Sequence, residues 1–332
     1  MWLQMDSGRY YLKNEHHIFD EFEFKNGCVL NNVHVDYGVM GTPKYDEEGN
    51  IVNAIMFCHT FEGDYSSLSD IHLLIDENKV LSKEEYFFIS ITSLGFPESC
   101  SPSTTGLKDL FPEYEIEDLI NFKRQLIKEK FQNIKRFHGI IGIAFGGYEA
   151  LGWSVFYPDE MDFVIHFASS FKNDGYKYIY AKLANDIIES SPQYFSEVYD
   201  ESISKVLISL SQLHYLVTFS MNYFNKMSID EIDLTMDSFA DRGLFYDIYD
   251  IKIRNDFLKT YNLENYLDRI KSKLLIVSVD NNNYYTPEYD SIPLHNAVEN
   301  SELIFLDMGD EPNELEHLYK IEEDIKRFLS DV

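Results

Sequence analysis

Positive charge is scarce in this chain. Its 332 residues carry 28 Lys and Arg against 57 Asp and Glu, a formal net charge of −29. A nucleic-acid-binding surface needs clustered cations to displace counterions from phosphates. No dense basic cluster occurs, which excludes DNA and RNA as expected partners and disfavours anionic membrane surfaces. Cysteine is scarcer still. Cys28, Cys58 and Cys100 are odd in number and widely spaced, against both a disulfide framework and a Cys-rich zinc site. No H-E-x-x-H, EF-hand or Walker pattern is present, so neither a metal nor a cofactor is expected. Long apolar runs are nearly absent. The exception, "VLISLSQLHYLVTFSMNYF" from Val206 to Phe224, has the length of a membrane span. Ser, Gln, His, Thr and Asn interrupt it, so it reads as a buried or cap helix. The first residues, "MWLQMDSGRYYLKNEHH", show no basic-then-apolar targeting pattern. A cytoplasmic protein is the expectation.

Apolar material is plentiful. Hydrophobic residues make up 45%, with 25 Phe and 24 Tyr, enough for a large core. β-Branched runs alternate with helical patterns, which predicts an α/β fold with a mostly parallel central sheet flanked by helices. "EFEFKNG" and "VLNNVHVDYG" read as an antiparallel pair of strands. "NIVNAIMFCH", "EYFFISITSL", "FHGIIGIA", "DFVIHFASS", "KLLIVSVD" and "SELIFLDMG" read as further strands. "IEDLINFKRQLIKEKF" is an amphipathic helix, with Ile116, Leu119, Ile120, Phe122, Leu126 and Ile127 near one face. The alternation stops near residue 171 and resumes near 267. The predicted organisation is a core of residues 1–170 and 267–332, interrupted by a helical insertion at 171–266.

One stretch carries chemistry. "GIAFGGYEALGW", Gly142 to Trp153, has the spacing of a nucleophile elbow, a sharp turn from strand to helix that projects its central residue over the sheet edge. The flanking glycines leave room where a β-carbon would strike the turn. The strand before it and the helix after it supply the expected context. Taken alone, an ordinary glycine-bearing turn explains the pattern equally well. The central residue is Ala144, and a methyl group cannot serve where acyl transfer needs a hydroxyl or thiol activated by a base.

The surrounding chain resembles the homoserine O-acetyltransferase branch of the α/β-hydrolases. "NAIMFCHTFEGDYSS" is similar to a strand and H-x-L-T-G loop of that family, with His59, Phe61 and Gly63 in register. "LFPEYEIEDLINFKRQLI" matches at Phe111, Pro112 and Asp118. The elbow segment matches at Gly142, Gly146, Gly147, Ala150, Leu151, Trp153, Tyr157, Pro158 and Asp159. The resemblance implies an α/β-hydrolase fold in which the insertion is a helical cap (lid). It puts the nucleophile at Ala144 and the base at Asp310, after Gly309. It puts the acid at Asn283 if Pro287 is held in register, or at Asp280 if the strand is. Phe61, Phe145 and Gly146 become pocket and oxyanion candidates, and a substrate-holding arginine of the family falls on Asn185.

With Ala144 and Asp310 in those places, the expected role is a pseudoenzyme-like member that lacks acyl-transfer activity. It would bind a small molecule in the cap-covered pocket or act through protein contacts, and a homodimer through the cap is expected from the family. The alternatives are an engineered Ser-to-Ala variant, or an active acyltransferase or esterase with a relocated nucleophile, Cys100 or Ser103, and a displaced base, His317. Cys58 and His59 are strand neighbours that point to opposite faces and are not expected to meet. His16 and His17 read as solvated near the terminus, and His138 and His166 as structural. Arg242, the only Lys or Arg between Lys226 and Lys252, reads as a local ion pair or a contact for an anion.

Overall fold

The structure, a computed structural model, describes residues 12–196, 201–308 and 314–332. The described residues form one eight-stranded sheet. In chain order the strands are β1 (Lys13–Glu23), β2 (Val29–Gly41), β3 (Ala54–Cys58), β4 (Phe87–Ile91), β5 (Phe137–Ile143), β6 (Met161–Phe167), β7 (Lys273–Val279) and β8 (Ser301–Leu306). Their spatial order is β1-β2-β4-β3-β5-β6-β7-β8. The β1–β2 and β2–β4 pairings are antiparallel and all the others parallel. Strands covered on both faces read as unbroken apolar runs, and β3 and β4 are buried at every position.

The first hairpin is longer than its sequence pattern predicts. β1 reaches back to Lys13, so His16 and His17 lie in a strand and not in a solvated tail. Each imidazole faces a carboxylate: His16 Nδ1 lies 2.5 Å from Asp36 Oδ1, and His17 Nε2 lies 2.6 Å from Glu129 Oε2. Polar residues at both faces hid this strand from a periodicity argument.

Helix α1 (Ile116–Lys130) carries Glu117 and Asp118 in its first turn and Lys128 and Lys130 in its last, which complements the helix dipole. Helix α2 (Phe145–Phe156) follows β5 directly. Four longer helices lie between β6 and β7: α3 (Gly175–Glu189), α4 (Glu201–Thr218), α5 (Ile229–Gly243) and α6 (Ile248–Thr260). The apolar run beginning at Val206 is mostly α4. No helix among the described residues is long and apolar enough to cross a membrane. Helix α7 (Glu322–Leu329) closes the chain. One apolar cluster under the sheet includes Phe122, Phe137 and Trp153, a second on the other face includes Phe163, Leu275 and Phe328, and a third within the cap includes Ile188, Leu207 and Ile248.

A charged pair lies inside this apolar packing. Lys123 Nζ on α1 sits 2.8 Å from Glu149 Oε2 on α2, and both side chains are fully buried. Ser93 Oγ donates to the other carboxylate oxygen at 2.8 Å. Removing one partner leaves an uncompensated buried charge, which costs about 3–5 kcal/mol, whereas removing both leaves little penalty. Urea unfolding therefore should show Lys123→Met strongly destabilised and Lys123→Met/Glu149→Leu close to the parent. Equal stability of the single and double variants would refute the pairing.

Two buried imidazoles set the acid limit of the fold. His59 Nε2 accepts from the Ser93 amide at 2.9 Å, and Nδ1 lies 2.8 Å from the Thr60 carbonyl. Burial, aided by the charge of Lys123, lowers its pKa to about 3. Burial lowers that of His166 to about 4. Both are neutral in the fold while the unfolded chain protonates near 6.5, so stability falls as pH drops below that value. Each contributes a slope of about 1.4 kcal/mol per pH unit until its folded pKa is reached. Denaturant midpoints measured from pH 7 to pH 4.5 should fall less steeply in His166→Gln than in the parent. Identical slopes would show that His166 does not control this limit.

Candidate functional site

Ala144 occupies the apex of the turn between β5 and α2, with φ 51° and ψ −112°. That region is sparsely populated by L-residues and costs about 1–3 kcal/mol, so the surroundings must hold it in place. They do so through three bonds. The Ala144 amide donates to the Phe167 carbonyl at 3.0 Å, and the Ala144 carbonyl accepts from the Gly147 amide at 3.0 Å and from Ser169 Oγ at 2.6 Å. The glycines are required sterically. A β-carbon at Gly142 would lie 2.1 Å from the Gly146 carbonyl oxygen, and one at Gly146 would lie 2.0 Å from the Cys58 carbonyl oxygen. This is the full geometry of a nucleophile elbow, with a methyl group at its apex.

Above the elbow lies a cavity of about 540 Å³ between the carboxyl ends of the strands and the cap. The core contributes Ala144, Thr60, Phe61 and Glu62, and the loop after β7 adds Asn282, Tyr284 and Tyr285. The cap contributes Tyr180 from α3, His214, Val217 and Phe219 from or beside α4, Phe239 and Arg242 from α5, and Leu258 from α6. No Ser or Cys is among these lining residues. Phe61 and Phe145 stack edge to face at 6.0 Å. Among the described residues the Phe61 and Phe145 amides donate no hydrogen bond, and the Phe145 amide opens α2, so both remain available to a developing negative charge.

A small recess of about 40 Å³, mostly apolar and with room for a water or two, adjoins the cavity. His214 connects the two. Its Nδ1 lies 3.1 Å from the Tyr180 hydroxyl and its Nε2 3.5 Å from Glu62 Oε1. Burial lowers its pKa, which keeps the ring neutral near pH 7. Arg254 lines the recess and is structural: Nε donates to the Asp250 carbonyl at 2.9 Å and Nη1 to the Phe61 carbonyl at 2.8 Å, with the guanidinium between the Phe61 and Phe96 rings. Asn255 also lines it, and its side-chain amide has no protein partner among the described residues.

The sequence-derived candidates are placed as follows. Phe61 and Ala144 line the cavity, and Phe145 and Gly146 support it from beneath. Asn283 turns away and donates through Nδ2 to the Phe219 carbonyl at 2.8 Å. Asn282 is the residue of that loop that lines the cavity, and its Oδ1 accepts from the Tyr284 and Tyr285 amides. Asn281, just before it, takes a left-handed backbone conformation with φ 63°. Asp280 lies outside the cavity lining, and burial, then the nearby Asp307 charge, raises its pKa. Asp310 lies outside the described residues. His317 sits in a 3-10 segment (Glu314–Ile321) and is not a lining residue, although Leu315 is.

Cys100 is buried against the β1–β2 hairpin, where desolvation pushes its thiol up to about 12. Burial likewise pushes Cys58 to about 12, leaving no reactive thiolate at either position. Ser103 is bound to Asp250, with its amide 2.8 Å and its hydroxyl 2.6 Å from the two carboxylate oxygens. Asn185 donates to Asp256 at 2.8 Å inside the cap and does not line the cavity. Sequence reasoning singled out neither His214, Glu62 nor Asn282, and His214 meets Glu62 only through the docking of the inserted helices on the core.

No family model matches the chain. A probable acyltransferase of Methanothermobacter thermautotrophicus is 36% identical over 288 residues, covering 87% of this chain and 88% of that protein. The homoserine O-acetyltransferase of Haemophilus influenzae is 24% identical over 304 residues, covering 79% and 81%. Among solved structures, an acetylester hydrolase from Corynebacterium glutamicum superposes with a TM-score of 0.82 at 19% identity, covering 96% of both chains. A homoserine O-acetyltransferase from Bacillus anthracis superposes at 0.80 with 20% identity, covering 96% of this chain and 97% of that one. The elbow, the sheet order and these likenesses agree, and the chain belongs to the homoserine O-acetyltransferase-like acyltransferase family of the α/β-hydrolase fold.

Proposed function

We propose that this protein does not transfer acyl groups and instead binds a small molecule in the cap-covered cavity. One observation carries the reading: the strained elbow is intact, its apex is a methyl group, and the described lining holds no Ser or Cys to replace it. Covalent acyl transfer needs a nucleophile and a base that both reach the bound acyl group, and neither Cys100 nor Ser103 is among the described residues that line the cavity. What persists suits binding: a half-open, aromatic-rich volume with a few polar groups. The setting we favour is the cytoplasm, which suits cysteines that are free in the fold.

Turnover of p-nitrophenyl acetate and of acetyl-CoA should stay at the buffer rate for the parent protein. Restoring the family pattern with Ala144→Ser/Asp310→His tests whether the oxyanion side still works, and esterase activity above the parent is expected. Parent turnover well above buffer that His214→Ala abolishes would overturn the proposal.

We also propose that two copies pair through the cap. On α3, Tyr176, Ile179 and Leu183 are 50%, 60% and 44% exposed at helical spacing, an apolar stripe of the kind that interfaces cover. Light scattering should give a dimer for the parent and a monomer for Ile179→Glu. A monomeric parent at micromolar concentration would contradict the pairing.

A further inference from the structure

We propose that the cavity above Ala144 takes an apolar monocarboxylic acid, aliphatic or aryl, and that Arg242 holds its carboxylate. This deepens the ligand-binding reading and rests on it. The walls set the body of the ligand. Phe219, Phe239, Tyr284, Tyr285, Val217 and Leu258 present rings and branched carbons, and Ala144 puts a methyl where a serine hydroxyl would have met an ester. An apolar chain or ring gains from leaving water here, whereas a polyol would lose hydrogen bonds it cannot replace.

The charge sets the head group. Among the described residues, two formally charged side chains line the cavity, Glu62 and Arg242. Glu62 is engaged: His214 Nε2 lies 3.5 Å from its Oε1. Arg242 has no such partner. In a chain with 57 acidic residues, no carboxylate among the described residues lies within 4 Å of it. Its guanidinium instead sits 4.2 Å above the Phe239 ring at the exposed rim of the cavity. A stacked guanidinium keeps N–H edges free for a planar acceptor, and a carboxylate accepts two of them side by side. The ion pair expected from the local sequence is therefore not formed among the described residues, and the guanidinium lines the cavity. An alcohol offers one weak acceptor there, and an ammonium group is repelled.

Titration calorimetry of the full chain with 3-phenylpropionate, 3-phenylpropanol and 3-phenylpropylamine tests this. The acid should bind most tightly. Arg242→Gln should weaken the acid by about tenfold, the scale of a charge-assisted bidentate contact, and leave the alcohol unchanged. Arg242→Lys should fall between the two. Arg242 is exposed, so an unchanged melting temperature is expected and confirms that the variant is folded. Equal binding of all three compounds, preference for the amine, no binding of the acid, or an acid affinity indifferent to Arg242→Gln would each overturn the proposal. Hydrolysis of phenyl 3-phenylpropionate is measured on the same samples. Turnover there would sink the non-catalytic reading while leaving the preference for the acid to be judged separately.

Discussion

The elbow depends on backbone meeting backbone. Gly146 passes so close to the Cys58 carbonyl, and Gly142 so close to the Gly146 carbonyl, that no side chain fits at either place. These approaches bring the ends of β3 and β5 and the start of α2 to one point. Everything else at the site is arranged around that point. The strained Ala144 backbone is held by Phe167, Gly147 and Ser169, and α2 is anchored from behind by the buried Lys123–Glu149 pair. The strained backbone presents a methyl group at the apex of the turn. The turn remains because the sheet and the helix are built on it, whatever its apex carries.

The cap is tied to the core by polar contacts that have little exposure to water. Asp250 receives the Ser103 amide and hydroxyl, Arg254 reaches the Phe61 carbonyl, and Lys177 meets Asp290 at 2.7 Å with both side chains buried. Such contacts are worth more in position than in net energy, because desolvation offsets much of their attraction. Their effect is to fix where the cap sits over the elbow. The cavity is thus a preformed volume whose rim carries Arg242, a cation with no carboxylate within 4 Å among the described residues.

Much of this was legible from the chain alone. Buried parallel strands announce themselves as apolar runs, and glycines at fixed offsets announce the elbow. The extension of β1 did not, because Lys13, Asn14, Glu15, His16 and His17 carry no apolar alternation and are ordered by pairing with β2 and by carboxylate partners. In the loop after β7, Asn282 lines the cavity while Asn283 bonds the Phe219 carbonyl, an orientation that spacing alone does not give. His214 and Glu62 lie 152 positions apart and meet only when the cap docks. Arg242 read as a local ion pair or a contact for an anion, and among the described residues no carboxylate lies within 4 Å of it. Sequence spacing encodes elements well, but contacts across a domain insertion are set by packing.

The central claim is that the elbow is structurally intact and chemically silent. Its most direct test is intact-mass analysis after exposure to a fluorophosphonate, which modifies activated hydroxyl nucleophiles and leaves a methyl group untouched. The account predicts an unmodified parent protein. A single stoichiometric adduct on any residue lining the cavity would contradict it.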